Sequence, residues 1–212
     1  MASALLRDVD SRPGGVVVRG PAGIGKTAFC RQAAEVAQAQ GWPAVRVHAG
    51  DAARPLGLVS ALVEQLLLDD PTALQAIGPH AHSVLAQLTA AAAPAQPLPG
   101  PMSRHQVVGA LRRLLLAGSA SGPLLVVVDD VHAADEGSAQ ALVQMLVAGP
   151  PLFVLLACRA DASQGLAAAM APLLRDGRLK WHAPSGRVCS MSMATHCKPC
   201  SGSRSRGMNS MA

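Results

Sequence analysis

Eight residues, Gly20-Pro21-Ala22-Gly23-Ile24-Gly25-Lys26-Thr27, constrain this chain more than any other segment. They fit the pattern G-x-x-x-x-G-K-[ST], and their flanks give the pattern a mechanism. Ahead of them, Gly15-Val16-Val17-Val18-Arg19 reads as a short buried strand. Behind them, Ala28 to Gln40 reads as a helix, with Phe29, Ala33, Val36, Ala37 and Gln40 at helical spacing. Strand, glycine-rich loop and helix opening together make a phosphate cradle, because N–H groups of the loop and of the helix N-terminus point at the anion. The expected cradle runs from Gly20 to Ala28. In it the Lys26 ammonium reaches the β- and γ-phosphates and the Thr27 hydroxyl ligates Mg²⁺. Glycine at 20, 23 and 25 lets the backbone turn tightly and approach the phosphate without a Cβ in the way.

The chain has 212 residues, half of them hydrophobic, enough for one domain with a substantial core. Aromatics make up only 2%, so Ala, Val and Leu must fill that core. The net charge of +5 suggests a nucleic-acid binder, but its distribution argues otherwise. Residues 182–212 hold Arg187, Lys198, Arg204 and Arg206 and no acid, which leaves the other 181 residues nearly neutral. Direct DNA binding is therefore not expected, since no basic recognition helix is visible. No apolar run approaches the roughly 18 residues that span a bilayer. The start, Met1 to Asp8, carries charges where a signal peptide would be apolar, so a cytoplasmic protein is expected. Five cysteines, unevenly spread, do not form a disulfide framework; Cys30 and Cys158 read as small buried apolar residues.

The rest of the chain alternates strand and helix. Ala44 to Ala49 reads as a second strand, and Leu56 to Leu68 as a helix with Leu58, Val59, Leu62 and Leu66 in register. Pro71 to Ile77 and His80 to Ala92 read as short helices, and the prolines of residues 94–101 as a stiff connector. Ser103 caps a helix to about Ala117 that shows Val107, Leu111, Leu114 and Leu115 on one side. Leu124 to Val128 is a third strand, and Asp135 to Val147 a helix capped by Asp135. Leu152 to Ala157 is a fourth strand, Ser163 to Leu174 a helix, and Arg178 to Trp181 the start of a fifth strand. Such alternation predicts an α/β domain over residues 1–181, a three-layer sandwich around a mainly parallel sheet. Ligands in such sheets bind at the carboxyl ends of the strands, which gathers Gly20–Thr27, Asp129–Asp130 and Arg159 on one edge. The tail, residues 182–212, has no Leu, Ile or acid but seven serines, and is expected to be disordered. Its single tight pair, Cys197 and Cys200, falls short of the two paired sets of a structural zinc site.

Leu124-Leu125-Val126-Val127-Val128 ends in Asp129-Asp130, about 100 residues after the phosphate loop. A carboxylate at that strand end can hold Mg²⁺ through its water shell, and Asp129 is the candidate. Asp130 is placed to orient or deprotonate an attacking water; the alternative is a surface carboxylate opening a loop. Arg159, after the fourth strand, can sense the γ-phosphate or polarise that water, or can simply face solvent. His132 is either a switch-loop histidine or a plain loop residue. Arg112-Arg113 can serve a neighbouring subunit, although a solvated helix face explains them as well.

Four segments together carry a resemblance: the loop at 20–27, Arg-Pro-Leu-Gly-Leu-Val at 54–59, Val-Asp-Asp-Val-His-Ala-Ala-Asp at 128–135 and Leu-Leu-Ala-Cys-Arg at 155–159. Over roughly residues 4–181 the chain resembles the AAA-like ATPase domain of STAND-type signalling ATPases, often labelled Orc1-like. It is most similar to the large LuxR-type transcriptional regulators. The resemblance implies a P-loop NTPase sheet of five strands in the order 5-1-4-3-2, ATP as nucleotide, a slow hydrolytic switch, and Arg159 as sensor arginine. Partners would be proteins, or further copies of the switch domain.

Three departures qualify it. The Gly-Arg-Glu segment that helps form the family's adenine pocket has no counterpart before the loop. His132-Ala133-Ala134-Asp135 stands where the family commonly reads His-Trp-Ala-Asp. The lid, the repeats and the C-terminal helix-turn-helix have no counterpart, and after Trp181 the sequence reads like an out-of-frame translation. A truncated or frameshifted product is therefore expected, with a non-functional remnant as one reading of it. A nucleotide-binding regulator that does not hydrolyse is another reading.

Overall fold

The apolar runs pair into one sheet. In chain order its strands are β1 (Gly14–Gly20), β2 (Ala44–His48), β3 (Leu124–Asp129), β4 (Leu152–Arg159) and β5 (Leu179–His182). The computed structural model describes residues 14–51, 55–89, 96, 98, 100–119, 122–148, 152–161 and 164–183. The strands lie side by side as β2-β3-β4-β1-β5, with every pairing parallel. That is the expected order read from the opposite edge. All six residues of β3 and the first seven of β4 are buried, as strands covered on both faces must be. β2, at the edge, alternates instead: Val45 and Val47 are buried while Arg46 and His48 are exposed.

Helix α1 (Lys26–Ala39) covers one face, where Phe29, Cys30, Ala33 and Ala37 meet Val16, Val18, Leu125, Val127 and Leu155. The other face carries α2 (Gly57–Asp69), α3 (Ala73–Ala76), α4 (Pro79–Ala86), α5 (Arg104–Gly118), α6 (Glu136–Ala148) and α7 (Gln164–Arg175). Their apolar sides enclose the larger core with Val17, Val126, Val128, Val154 and Leu156. The result is the expected three-layer sandwich with unequal layers.

Local chemistry sets the boundaries. Ser103 caps α5 in a reciprocal box: its hydroxyl accepts from the Gln106 N–H at 3.3 Å, and Gln106 Oε1 accepts from the Ser103 N–H at 2.8 Å. Asp135 caps α6 through Oδ1, which accepts from the Ser138 N–H at 2.9 Å. The helices expected over 71–77 and 80–92 are shorter and shifted. Gly78 at φ 87 breaks the chain between them, and Pro79 at the first helical position starts α4, which ends at Ala86. Close approach of β1 to β4 demands glycine at 15, where a Cβ would stand 2.3 Å from the Val154 carbonyl oxygen. Among the described residues no helix is long and apolar enough to cross a membrane. The expectations for residues 1–13 and for the tail beyond residue 183, including its cysteines, lie outside the described residues.

Candidate functional site

Between the end of β1 at Gly20 and the start of α1 at Lys26, the chain turns through Pro21, Ala22, Gly23, Ile24 and Gly25. Gly23 at φ 76 and Gly25 at φ 96 occupy the left-handed region that glycine enters without strain; Gly20 does not and ends the strand normally. Gly25 occupies the N-cap position of α1, and no side chain caps that helix. The first helical bond is Phe29 N–H to the Gly25 carbonyl at 2.9 Å, so the N–H groups of Lys26, Thr27 and Ala28 have no acceptor within the helix. No acid lies in that first turn. The positive end of the helix dipole is therefore uncompensated by this segment, which suits an anion.

Lys26 is only 7% exposed. Its ammonium donates to the carbonyls of Gly20 at 3.1 Å and Pro21 at 2.8 Å, and it forms no ion pair among the described residues. A buried cation whose partners are neutral is a cation waiting for a counter-charge. Asp129, at 4% exposure, is its acidic counterpart at the end of β3. Asp129 Oδ1 accepts from the Asp130 N–H at 3.1 Å, and no cation pairs with it among the described residues. Thr27 and Asp129 line one cavity of about 420 Å³, together with Arg46, Val47 and His48 of β2 and residues of α2. The loop and the acid-tipped strand thus meet at the carboxyl ends of the strands, where the α/β class places them.

This donor set fits a Mg²⁺ ion carried by a phosphate. Magnesium keeps several waters and takes one or two protein oxygens, and Thr27 and Asp129 offer a hydroxyl and a carboxylate on one cavity wall. Among the described residues no group of three or more His, Cys, Asp or Glu side chains is placed to hold a metal by itself.

Asp130 has a different environment. Its backbone is left-handed at φ 51, a strain that asparagine and aspartate tolerate best. Its Oδ2 lies 3.2 Å from His48 Nε2, and its Oδ1 lies 3.8 Å from His132 Nδ1. The Gly50 N–H donates to His48 Nδ1 at 3.2 Å. With Nδ1 accepting, the neutral ring carries its proton on Nε2 and donates it to Asp130. His132 Nδ1 is buried without a hydrogen-bond partner.

Arg159 ends β4 directly beside Gly20 in the sheet register. Its Nε pairs with Asp161 Oδ1 at 3.2 Å, half exposed, and it is not among the residues lining the cavity. The Cys30 thiol, one turn into α1, is pushed up to about 12. Burial is the main cause; Asp129 adds to the rise, Arg46 opposes it, and Asp130 and Lys26 act more weakly in the same opposed senses.

Two polar residues of this region, Arg46 and His48, escaped the sequence reading. The Val45-Arg46-Val47-His48 alternation signals a strand with one polar side. Knowing that β2 lies beside β3 is what turns that side into a wall of the cavity.

Residues 1–156 match the family model for the AAA ATPase domain, more than half of the 212-residue chain. No curated protein matches. Among solved structures the chain is similar to one in Drosophila ORC bound to AT-rich DNA and Cdc6, with 16% identity and a TM-score of 0.46 over 88% of this chain and 28% of that one. A chain of Drosophila ORC bound to DNA gives 16% identity and a TM-score of 0.47, over 86% of this chain and 28% of that one. The chain therefore spans about 28% of the length of these relatives.

Proposed function

The chain belongs to the AAA ATPase domain family, and from that premise we propose that it binds ATP with Mg²⁺ and hydrolyses it slowly, as a nucleotide switch. The observation that carries this reading is the pair of buried, uncompensated charges, Lys26 and Asp129, set on the phosphate loop and on the strand end facing it. Amides from Gly20 to Ala28 cradle the phosphates, and the Lys26 ammonium turns from its loop carbonyls to the β- and γ-oxygens. Thr27 and Asp129 are the residues that would hold the metal, which would supply positive charge beside the phosphate oxygens. Asp130 accepts the proton of the attacking water, and Arg159, beside Gly20 of the loop in register, senses the γ-phosphate once it leaves Asp161.

The setting we propose is a signalling ATPase of the STAND type, and within it a LuxR-type transcriptional regulator. The support is the combination of the loop with Arg54–Val59, Val128–Asp135 and Leu155–Arg159. In that setting the module is cytoplasmic, makes no DNA contact of its own, and acts through protein partners or self-association.

A second reading, binding without turnover, is favoured by one contact. Asp130 Oδ2 is held by His48 at 3.2 Å, and an oxygen engaged in that bond is not free to meet an attacking water. Phosphate release and nucleotide binding, measured on the wild type, Lys26→Ala and Asp130→Asn, separate the readings. Slow release lost in both variants, with binding kept in Asp130→Asn, is the expected result. Turnover that survives Lys26→Ala removes the site as drawn, and binding with no turnover in the wild type favours the second reading.

A further inference from the structure

The cavity beside Thr27 and Asp129 contains a permanent charge to which the reading above gives no task. Arg46 lines that cavity, is exposed to it, and makes no ion pair or hydrogen bond among the described residues. We propose that Arg46 contacts the γ-phosphate of bound nucleoside triphosphate, and so lets the site tell a triphosphate from a diphosphate. The inference rests on the nucleotide-binding reading and deepens it.

Position comes first. Side chains alternate along β2, so Arg46 and His48 stand on the same side of the strand, turned away from Val45 and Val47. His48 on that side already reaches Asp130. Arg46 is one pleat behind it, along a cavity wall continuous with Thr27 and Asp129, the residues that mark the metal and therefore the outer end of the triphosphate. The charge of Arg46 is felt at Cys30, one turn into α1, more strongly than that of Lys26.

Charge and room agree with position. The γ-phosphate of ATP brings negative charge that ADP lacks at that point, and Lys26 is already shared between two carbonyls. Among the described residues lining the cavity, Arg46 is the one side chain that carries a fixed positive charge. A guanidinium offers paired N–H donors that match phosphate oxygens, and it stays charged at any working pH. The cavity, about 420 Å³, holds a phosphoryl group together with several waters, each needing about 30 Å³.

The test is calorimetric titration of the 212-residue chain with ADP and with the β,γ-imido analogue of ATP, both with Mg²⁺. It compares the wild type, Arg46→Ala and Arg46→Lys. The expected result is a loss of about 10- to 100-fold in affinity for the triphosphate in Arg46→Ala, with ADP affinity held within about twofold. Arg46→Lys, which keeps the charge and loses the fork, should fall between. Retained ADP binding shows that the variant is folded. An unchanged ratio of the two affinities overturns the proposal, and so does an equal loss of both. A wild-type chain that takes up neither nucleotide instead fails the nucleotide reading itself, and this inference falls with it.

Discussion

Lys26 and Cys30 sit one helical turn apart, and opposite requirements govern them. Lys26 is buried charged because its loop supplies carbonyls and leaves a place for an anion. Cys30 is buried neutral, its thiol raised to about 12, so a helix N-terminus that would ordinarily favour a thiolate is overridden by burial and by Asp129. Cys158 is raised for the same first reason, burial. Alkylation of the native chain at pH 8, mapped by mass spectrometry, should therefore leave Cys30 and Cys158 unmodified until denaturant is added. At Gly23 a Cβ would meet nothing, but φ of 76 penalises any L side chain. Gly23→Ala should cost about 1–2 kcal/mol of stability in a denaturant melt. Nucleotide affinity should fall as well if the proposed site is right, because the new methyl projects from the loop assigned to the phosphates. Asp129 was legible because an apolar run stops abruptly at it. His48 was not, because its role depends on Asp130, 82 residues away and across a strand pairing that no local pattern encodes.

At the scale of elements, Asp135 joins two helices at their starts. Its Oδ1 accepts from the Ser138 N–H of α6 at 2.9 Å and from the Leu56 N–H, just before α2, at 3.0 Å. Burial works to raise its pKa, but the hydrogen bonds from Ser138, Leu56 and Gly57 outweigh it and hold the carboxyl below its usual 3.8. Because the folded pKa is the lower one, this contribution is complete above the unfolded value and disappears as pH falls through the folded value. Asp135→Ala should cost about 1–3 kcal/mol at pH 7 in a urea melt. The difference between variant and wild type should shrink below about pH 4. Gly15→Ala tests the sheet in the same way: its Cβ would stand 2.3 Å from the Val154 carbonyl oxygen, a clash with backbone that no rotamer relieves. A fall of several degrees in Tm is expected. The helices of this layer were legible from their apolar spacing and caps. Their lengths between residues 71 and 92 were not, because Gly78 and Pro79 punctuate more strongly than the surrounding apolar residues suggest.

For the whole molecule, a ligand held at loop, strand end and edge strand together is linked to global stability. Mg²⁺ with ADP at about 100 times its Kd should add about 2.7 kcal/mol and raise Tm by about 5–10 °C, and Lys26→Ala should remove most of that shift. A thermal melt with and without nucleotide checks it. The α/β class and the parallel sheet followed from alternation along the chain, and the position of the ligand edge followed from the class. The order of strands did not follow from any residue pattern. It came with the family resemblance, because β1 pairs with β4 and β5 across more than 130 residues, a separation beyond the reach of local rules.

That crossing has a bearing on biosynthesis. β1 is made first of the strands described, yet it is flanked by β4 and β5, the last two to leave the ribosome. A nascent polypeptide therefore owns the turn after β1 early, but that strand gains its first sheet neighbour only with Leu152–Arg159 and its second only when Leu179–His182 has emerged.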